Sequence, residues 1–288
     1  MRERKRAMPR AAAREFDFDE QDFDRIAGLI KERVGIVLGP GKETMVYSRL
    51  SRRLRELGIS SFKDYLALIS SPKGSDEFYN FMNALTTNLT KFFRESHHFD
   101  HLEGFLNERS KAAKAGHPKR FRIWSAGCSS GEEPYSMAMV IDKWLENNRG
   151  WDAKILATDI DTNMVRKCKT GIYPAASLEK IPQAYKKRAF ESKEVGEGQV
   201  RIKQNLRDLI TFKSLNLLGP WPIKGPFDAI FCRNVGIYFD RPTQTRLFER
   251  YAELLADDGY VYIGHSENLF NVTKKLKLVG KTIYRKPD

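Results

Sequence analysis

Cysteine is scarce in this chain, which has only Cys128, Cys168 and Cys232 among 288 residues, none of them in CxxC spacing. An odd number of cysteines so placed argues against a disulfide framework and against a zinc ribbon. Long apolar runs are also missing, since none approaches the ~18 residues that a membrane-spanning helix requires. Both absences favour a protein of the reducing cytoplasm that does not insert into a membrane.

A secretion signal is also missing. The first residues, MRERKRAMPRAAAREF, are basic like the start of a signal peptide, but acidic residues follow where its apolar segment would lie: Asp17, Asp19, Glu20 and Asp22. Residues 1–16 are therefore predicted to form a disordered basic tail that aids solubility.

Positive charge, in contrast, is abundant. The chain has 50 Lys and Arg against 37 Asp and Glu, a net charge of +13. Such an excess predicts attraction to an acidic partner, but nucleic acid, anionic lipid and an acidic protein surface fit it equally.

The pattern of the first part of the chain is helical, and we predict a helical bundle over residues 17–110. Its clearest helix spans Glu43–Leu57, where Val46, Leu50, Leu54 and Leu57 recur at helical spacing and Gly58 marks the end. Four arginines lie on the rest of its surface: Arg49, Arg52, Arg53 and Arg55. They form either a solvated face or a docking surface for an acidic partner.

From Phe121 onward strand and helix patterns alternate, which predicts an α/β domain over residues 111–288 with a parallel sheet covered by helices. The predicted strands are FRIWSAG, AKILATDI, FDAIFCRN and YVYIGHS, with helices over 132–147 and 242–255. KLKLVGKTIYRK predicts a closing hairpin around Gly280. Between about 173 and 213 the pattern breaks, and the segments GEGQVRIKQNL and LITFKSL predict a small antiparallel insert.

The stretch WSAGCSSGEEPYS raises two hypotheses. Its segment GCSSG fits the nucleophile elbow G-x-S-x-G, with Ser129 as nucleophile and His265 as a late histidine. An elbow, however, follows several sheet strands, whereas this strand is the first of its sheet. A turn that brings the backbone close to a cofactor fits the position better.

A carboxylate after the second strand supports the cofactor hypothesis. Asp159 stands where an acidic residue accepts hydrogen bonds from ribose hydroxyls, and Asp161 is predicted to cap the next helix. The turn lacks G-x-G-x-x-G, and Glu132 and Glu133 at the helix start would repel a pyrophosphate. A cationic cofactor without phosphates, such as S-adenosylmethionine, fits these charges.

The sequence also resembles the CheR-type chemotaxis receptor methyltransferases. The similar segments are NLTKFFRE, WSAGCSSGEEPYSMAM, ATDID, GIY, NLL, GPFDAIFCRNVGIYFD and GYVYIGHSENL, in the family's order along nearly the whole chain. The resemblance implies a helical N-terminal domain and a Rossmann-like class I S-adenosylmethionine methyltransferase domain with a small antiparallel β insert. Two positions depart from the family: Gly236, where a bulky residue is common, and Ser130, where threonine is frequent.

The resemblance further implies a reaction and the residues that serve it. Methyl groups pass from S-adenosylmethionine to receptor glutamates, giving methyl esters and S-adenosylhomocysteine. Arg94 and Tyr238 would be catalytic, with Arg94 serving the acceptor or the methionyl carboxylate of the cofactor. The implied cofactor contacts are Asn88, Thr90, Arg94, Glu133, Asp159, Asn216, Leu217, Arg233 and Asn234. No metal is expected, because His97 and His101 lack a third ligand.

Two rival functions stay open on the residues alone. A sensor could keep the cofactor pocket without catalysis, although Arg94 and Tyr238 argue against this. A nucleic-acid methyltransferase would suit the positive charge, but CRNVGIYF lacks the Asn/Asp-Pro-Pro-aromatic motif of enzymes that act on base nitrogens. We therefore expect a cytoplasmic monomer that meets the acidic methylation region of chemoreceptors and no nucleic acid.

Overall fold

A computed structural model describes residues 14–114, 116, 118–191 and 195–287. It divides into two compact units, Met1–Arg33 with Leu38–Leu85, and Val34–Val37 with Thr86–Asp288. The helical domain thus ends at Leu85 and not near residue 110. The predicted tail falls outside the described residues up to residue 13. Its last residues differ from the prediction, because Phe16 is buried and packs edge-on against Phe62 with ring centroids 6.4 Å apart.

The first unit is helical, as the sequence predicts. Its helices are α1 (Glu20–Val34), α2 (Glu43–Leu57), α3 (Phe62–Ser70) and α4 (Ser75–Leu85). In α2 the apolar positions Val46, Leu50 and Leu54 are buried, and Gly58 ends the helix in the left-handed conformation. The predicted fourth member of that stripe, Leu57, is 40% exposed at the last residue of the helix.

A seven-stranded sheet forms the centre of the second unit. Its strands are β1 (Arg120–Ala126), β2 (Asp152–Asp159), β5 (Ile210–Ser214), β6 (Phe227–Cys232), β7 (Leu255–Ile263), β8 (Lys277–Gly280) and β9 (Ile283–Arg285). The strand order is β5-β2-β1-β6-β7-β9-β8. The first five pair in parallel, whereas β9 and β8 pair antiparallel and form the predicted closing hairpin.

Helices cover both faces of this sheet: α5 (His97–Lys114), α6 (Glu132–Leu145), α7 (Thr162–Thr170), α8 (Gln183–Ala189), α9 (Gln204–Arg207) and α10 (Arg241–Leu254). Alternate side chains of β1 enter different cores, because successive strand residues point to opposite faces. Phe121 and Ile123 pack in the core that includes α5 and α6, and Trp124 and Ala126 in the core that includes α10. Helix α5 thus belongs to the sheet unit.

The insert is smaller than predicted. Within the described residues, the separate antiparallel pair consists of β3 (Ile172–Pro174) and β4 (Gln199–Arg201). The predicted insert strand LITFKSL is β5, which pairs in parallel with β2 and places Ile155 opposite Ile210. Its buried Ile210 and Phe212 join the main core, so β5 is an edge strand of the large sheet.

Candidate functional site

The turn after β1 is built for close packing. Gly127 and Gly131 have φ of +85° and +97°, which favours glycine at both positions. A Cβ on Gly127 would lie 2.4 Å from Val235 Cγ2, and one on Gly131 would lie 2.7 Å from the Tyr173 hydroxyl. The small residues of this turn are therefore required by backbone conformation and by neighbouring side chains.

Ser129 does not have the surroundings of a nucleophile. Its backbone N–H donates to Asp159 Oδ2 at 2.7 Å, and its hydroxyl lies 3.4 Å from Asn88 Oδ1. Among the described residues no histidine hydrogen-bonds to it. The elbow hypothesis, with His265 as the base, is wrong, since His265 instead bonds to Glu95 at 2.9 Å.

Asp159 ends β2 and faces the turn. Its Oδ2 accepts the Ser129 N–H and its Oδ1 accepts the Asp161 N–H at 2.9 Å. Burial raises the pKa of Asp159 to about 6, although these backbone donors partly oppose the rise. A buried carboxylate with lone pairs left after two N–H contacts suits the hydroxyl donors of a ribose.

Asp161 anchors the segment that carries Asn88. As predicted, Asp161 caps α7, with Oδ1 accepting the Asn163 and Met164 N–H groups. Its Oδ2 accepts Asn88 Nδ2 at 2.9 Å. The loop bearing Asn88 and the half-buried Thr90 is thereby held against the carboxyl end of β2.

A charged network lies beside the turn. Glu133 Oε1 accepts the Ser125 hydroxyl at 2.7 Å and Oε2 accepts Arg233 Nη1 at 3.2 Å. Burial raises the pKa of Glu133, while the charge of Arg233 opposes the rise. Arg233 Nη2 lies 3.3 Å from Glu95 Oε2, and buried Arg233 Nε has no hydrogen-bond partner among the described residues. The network thus contains a buried donor without a partner among the described residues.

Sequence reasoning assigned Glu95 no role. Burial raises its pKa, but the His265 hydrogen bond and the Arg233 charge outweigh burial, so the pKa is lowered overall. Burial also lowers the pKa of His98, 3.7 Å from Glu95, to about 3, so this imidazole stays neutral. When ionised, Glu95, Glu133 and Asp159 carry three negative charges against two on Arg94 and Arg233.

A second residue without a predicted role, Glu267, shapes the loop after β6. Its carboxylate accepts the N–H groups of Asn234 at 2.7 Å, Val235 at 3.2 Å and Gly264. Burial raises its pKa, and these donors oppose the rise. Asn234 has a φ of +59°, and a Cβ on Gly264 would lie 2.5 Å from Asn234 Nδ2. Glu267 thus holds a strained turn at the end of β6.

Arg94 and Tyr238 lie in separate loops and do not hydrogen-bond to each other. Arg94 Nη1 donates to the Leu89 carbonyl at 2.8 Å, and the Arg94 carbonyl accepts Arg233 Nη2. Tyr238 ends the 3-10 turn Gly236–Tyr238 with its side chain half-buried, and its carbonyl accepts the Val37 N–H at 2.8 Å.

The loop after β5 carries Asn216 and Leu217. Asn216 Oδ1 accepts the Leu218 N–H at 2.9 Å. Arg250 donates to the carbonyls of Leu217 at 3.0 Å and Gly219 at 2.9 Å, and its guanidinium stacks 3.6 Å over the Trp221 ring. Leu217 is therefore held directly by α10, and Asn216 bonds within the loop that α10 holds.

The predicted residues of the strand loops share one edge of the sheet, because they lie at or after the carboxyl ends of β1, β2, β5 and β6. Asn88 is tied to the same edge through Asp161. In parallel sheets this edge binds ligands. Strain is concentrated there too: of six described non-glycine residues with positive φ, four belong to this region, namely Phe93, Glu95, Ser129 and Asn234.

The four arginines of α2 all form hydrogen bonds or ion pairs with residues of the helical unit. Arg49 donates to the Ala84 and Leu85 carbonyls at the end of α4. Arg53 pairs with Glu77 at 2.6 Å and with Glu56. Arg52 pairs with Glu56 at 2.9 Å and Arg55 with Glu15 at 2.6 Å, and both side chains stay largely exposed. Only Arg52 and Arg55 thus present most of their surface to solvent.

The His, Cys, Asp and Glu side chains of the described residues form no cluster of three or more that could hold a metal. His97 contacts the Lys281 carbonyl and His101 the Tyr262 hydroxyl. None of the described helices combines the length and apolarity needed to cross a bilayer.

The chain matches family models along most of its length. Residues 21–86 match the CheR methyltransferase all-alpha domain and residues 88–285 the CheR methyltransferase SAM binding domain, and the boundary between these matches coincides with that between the compact units. A probable chemotaxis protein methyltransferase of Rhizobium etli is 44% identical over 89% of this chain and 96% of that protein. The chemotaxis protein methyltransferase of Escherichia coli K12 is 44% identical over 91% and 89%, respectively.

One solved structure illustrates how far structural similarity extends. The glycopeptide N-methyltransferase MtfA complexed with S-adenosyl-L-methionine superposes with a TM-score of 0.31 and 14% identity over 55% of this chain and 53% of that chain.

Proposed function

The chain belongs to the CheR family of chemotaxis methyltransferases, and from this premise we propose which residues carry out its reaction. It is an S-adenosylmethionine-dependent enzyme of chemotaxis, and the reaction of its family esterifies glutamate side chains. Its substrates are chemoreceptors. The observation that supports the site best is the placement of Asp159, Glu133 with Arg233, and Asn234 after neighbouring parallel strands.

The charges of this site suit the cofactor. The carboxylates of the site outnumber its guanidinium groups, which favours a ligand of net positive charge such as S-adenosylmethionine, whose sulfonium, ammonium and carboxylate sum to +1. We assign the ribose to Asp159, the cationic end to Glu133, and the adenine to the loop of Asn216 and Leu217. When bound, the cofactor supplies an electrophilic methyl group on its sulfonium.

The acceptor needs positioning and no base. A glutamate side chain has an ordinary pKa near ~4.3 and is ionised at neutral pH. Its carboxylate oxygen forms the new bond to the methyl carbon, the S–CH3 bond breaks, and the electron pair stays on sulfur without any proton transfer. Alignment and exclusion of water can lower such a barrier by up to ~7–11 kcal/mol.

In this proposal Tyr238 and Arg94 bind different carboxylates. Tyr238 binds that of the receptor glutamate, and Arg94 binds that of the cofactor's methionyl part. The Tyr238 hydroxyl donates to one acceptor oxygen and leaves the other directed at the methyl group. Arg94 serves the methionyl carboxylate, because an arginine clamped on the acceptor would reduce its nucleophilicity. Its position beside Glu95, with Nε 3.8 Å from Oε1, supports a role at the cofactor.

The partner in this proposal is the acidic cytoplasmic methylation region of the receptor, met by a monomeric enzyme. The positive charge of the chain supports the acidic region. Three buried free cysteines support a reducing compartment.

The test uses the full chain, methyl-labelled S-adenosylmethionine and membranes bearing the receptors of its own cell. Base-labile label on a receptor-sized band, released as methanol, is expected. Tyr238→Phe should lower kcat about tenfold or more without changing S-adenosylhomocysteine affinity, and Tyr79→Phe, at an exposed tyrosine of the helical unit, is the matched control. Base-stable label or labelled nucleic acid would contradict the proposal, and cofactor binding without transfer would favour the sensor.

A further inference from the structure

A cavity of about 450 Å³ lies beside the loop that follows β6. Gly236, Phe248 and Leu269 are its buried lining, together with the largely buried Glu267. The mechanism proposed above uses none of these four residues directly. The cavity nevertheless adjoins the site, because Gly236 and Tyr238 belong to the same 3-10 turn.

The absence of a side chain at Gly236 keeps the space open. A Cβ there would lie 2.9 Å from Glu267 Oε1 and 3.5 Å from Phe248 Cε2, so it would point at the cavity lining. The walls are fixed: Gln244 Nε2 donates to the Gly236 carbonyl at 2.9 Å and to the Phe239 carbonyl at 3.0 Å, and Glu267 is held by backbone donors. Preformed cavities with a few fixed polar groups are typical of binding sites.

The exposed lining at the mouth consists of Ile237, Ser266 and Asn268, together with one positive charge, Arg241. Ile237 is 49% exposed, and Phe270, which follows the lining residue Leu269 in the chain, is 73% exposed. Arg241 Nη1 donates to the Phe270 backbone carbonyl at 2.9 Å, which fixes the position of the cation at the mouth. Arg241 is exposed and forms no ion pair within the described part of the chain. Such a mouth suits a segment that offers an apolar side chain next to a carboxylate.

We propose that this cavity is a substrate subsite that takes an aliphatic side chain of the receptor segment, while Arg241 pairs with an acidic residue of the same segment. The inference rests on the proposed function, since it requires a receptor glutamate at Tyr238. A small anionic ligand fits less well, because the Glu267 carboxylate lies in the inner lining. An exposed apolar rim instead favours a macromolecule.

The kinetic test compares variants at the mouth with a matched control. Arg241→Glu and Ser266→Trp should each raise KM for the receptor cytoplasmic fragment about tenfold, the order expected for losing a charge pair or a buried aliphatic side chain. Neither should change kcat or S-adenosylhomocysteine affinity by more than twofold. Lys213→Glu makes the same charge change on edge strand β5 and should leave KM unaltered. KM within twofold of wild type for both mouth variants would overturn the subsite.

Methyl NMR of the wild-type chain separates this inference from the proposed function. A synthetic peptide of the receptor methylation region should shift the Ile237 and Leu269 methyl signals, and S-adenosylhomocysteine alone should not. Methylation of the peptide without those shifts would overturn the subsite and keep the enzyme. Shifts without methylation would keep the subsite and overturn the proposed methyl transfer. Shifts caused by S-adenosylhomocysteine alone would assign the cavity to the cofactor and overturn the proposal.

Discussion

If Asp159 holds the ribose as proposed, cofactor binding should be sensitive to pH. Burial raises its pKa from 3.8 to about 6 in the folded chain. Between pH 3.8 and pH 6 the folded state binds more protons than the unfolded state. The contribution of this group to the free energy of unfolding therefore falls as pH rises, and the fall is complete above pH 6. Ribose hydroxyls donate to the ionised form, so a bound cofactor would lower the pKa and release a proton.

The affinity for S-adenosylhomocysteine should therefore rise about tenfold between pH 5 and pH 7 and then level off. Calorimetric titration in buffers of different ionisation enthalpy measures both the affinity and the released proton. Asp159→Asn should weaken binding at pH 7 and remove most of the pH dependence. An equally steep pH dependence in Asp159→Asn would assign the titration to another group, such as Glu133.

Two serines near the turn offer a matched pair of substitutions. Ser129 uses its backbone N–H, whereas the Ser125 hydroxyl donates to buried Glu133. Ser129→Ala should leave methyl transfer within about threefold of wild type. Ser125→Ala removes a hydrogen bond to a charged group, worth about 1.5–3 kcal/mol, and should weaken cofactor affinity about tenfold. Initial rates and S-adenosylhomocysteine titration measure these effects, and a hundredfold loss of rate in Ser129→Ala with intact binding would restore the covalent hypothesis.

Residues at the end of a strand or just after it could be located from the sequence, because the apolar pattern of a strand shows where that strand ends. Asp159 and the helix cap Asp161 are examples. Glu95 and Glu267 had no such signal, since each acts on atoms far away in sequence. Glu267 lies 33 positions from Asn234, whose N–H it accepts. Its partners are backbone groups, which leave no mark in the residue pattern.

At the scale of elements, α10 holds the loop that carries the proposed adenine contacts. Arg250 makes two carbonyl contacts and stacks on Trp221, and a lysine cannot reproduce this forked geometry. Arg250→Lys should weaken S-adenosylhomocysteine binding about tenfold and change Trp221 fluorescence. Arg246→Lys, at an exposed position of the same helix, is the control and should change neither. Unaltered affinity in Arg250→Lys would show that the loop does not read the adenine.

The helices and strands themselves could be predicted from the sequence. For two of them, β5 and α5, the part of the structure that they pack against could not. The alternation in LITFKSL identifies a strand without naming its partner, and β5 pairs with the main sheet instead of the insert. An amphipathic helix has the same periodicity in a bundle and on a sheet. Helix α5 was therefore predicted with the helical domain, although its Leu102 and Leu106 pack with the α6 core.

At the scale of the whole molecule, the open question is whether the charge of α2 holds the receptor. Substituting Arg49 and Arg53 would not answer it, because Arg53 forms a largely buried ion pair with Glu77. The Glu77 carboxylate also accepts the Tyr65 hydroxyl at 2.9 Å. Removing one partner of a buried pair costs about 3–5 kcal/mol. Such a variant would lose activity through unfolding of its helical unit, whatever its role in docking.

Arg52 and Arg55 allow a cleaner experiment, since their side chains are 79% and 61% exposed and their ion pairs lie at the surface. Surface pairs contribute only about 0–1 kcal/mol, so Arg52→Glu with Arg55→Glu should fold normally. If α2 docks the acidic receptor, this double variant should methylate receptors about tenfold more slowly at low salt with unchanged cofactor affinity. The difference should shrink as salt shortens the screening length to ~8 Å at physiological ionic strength.

The control carries the same charge change elsewhere in the helical unit: Arg25→Glu with Lys63→Glu, at exposed positions of α1 and α3. Net charge falls equally in both double variants, so a general attraction between a basic chain and an acidic receptor would slow both alike. Docking by α2 slows only the first. Initial methylation rates across a salt series distinguish these outcomes. Equal rates for wild type and the Arg52→Glu, Arg55→Glu variant at low salt would show that the arginines of α2 form a solvated face and do not dock the receptor.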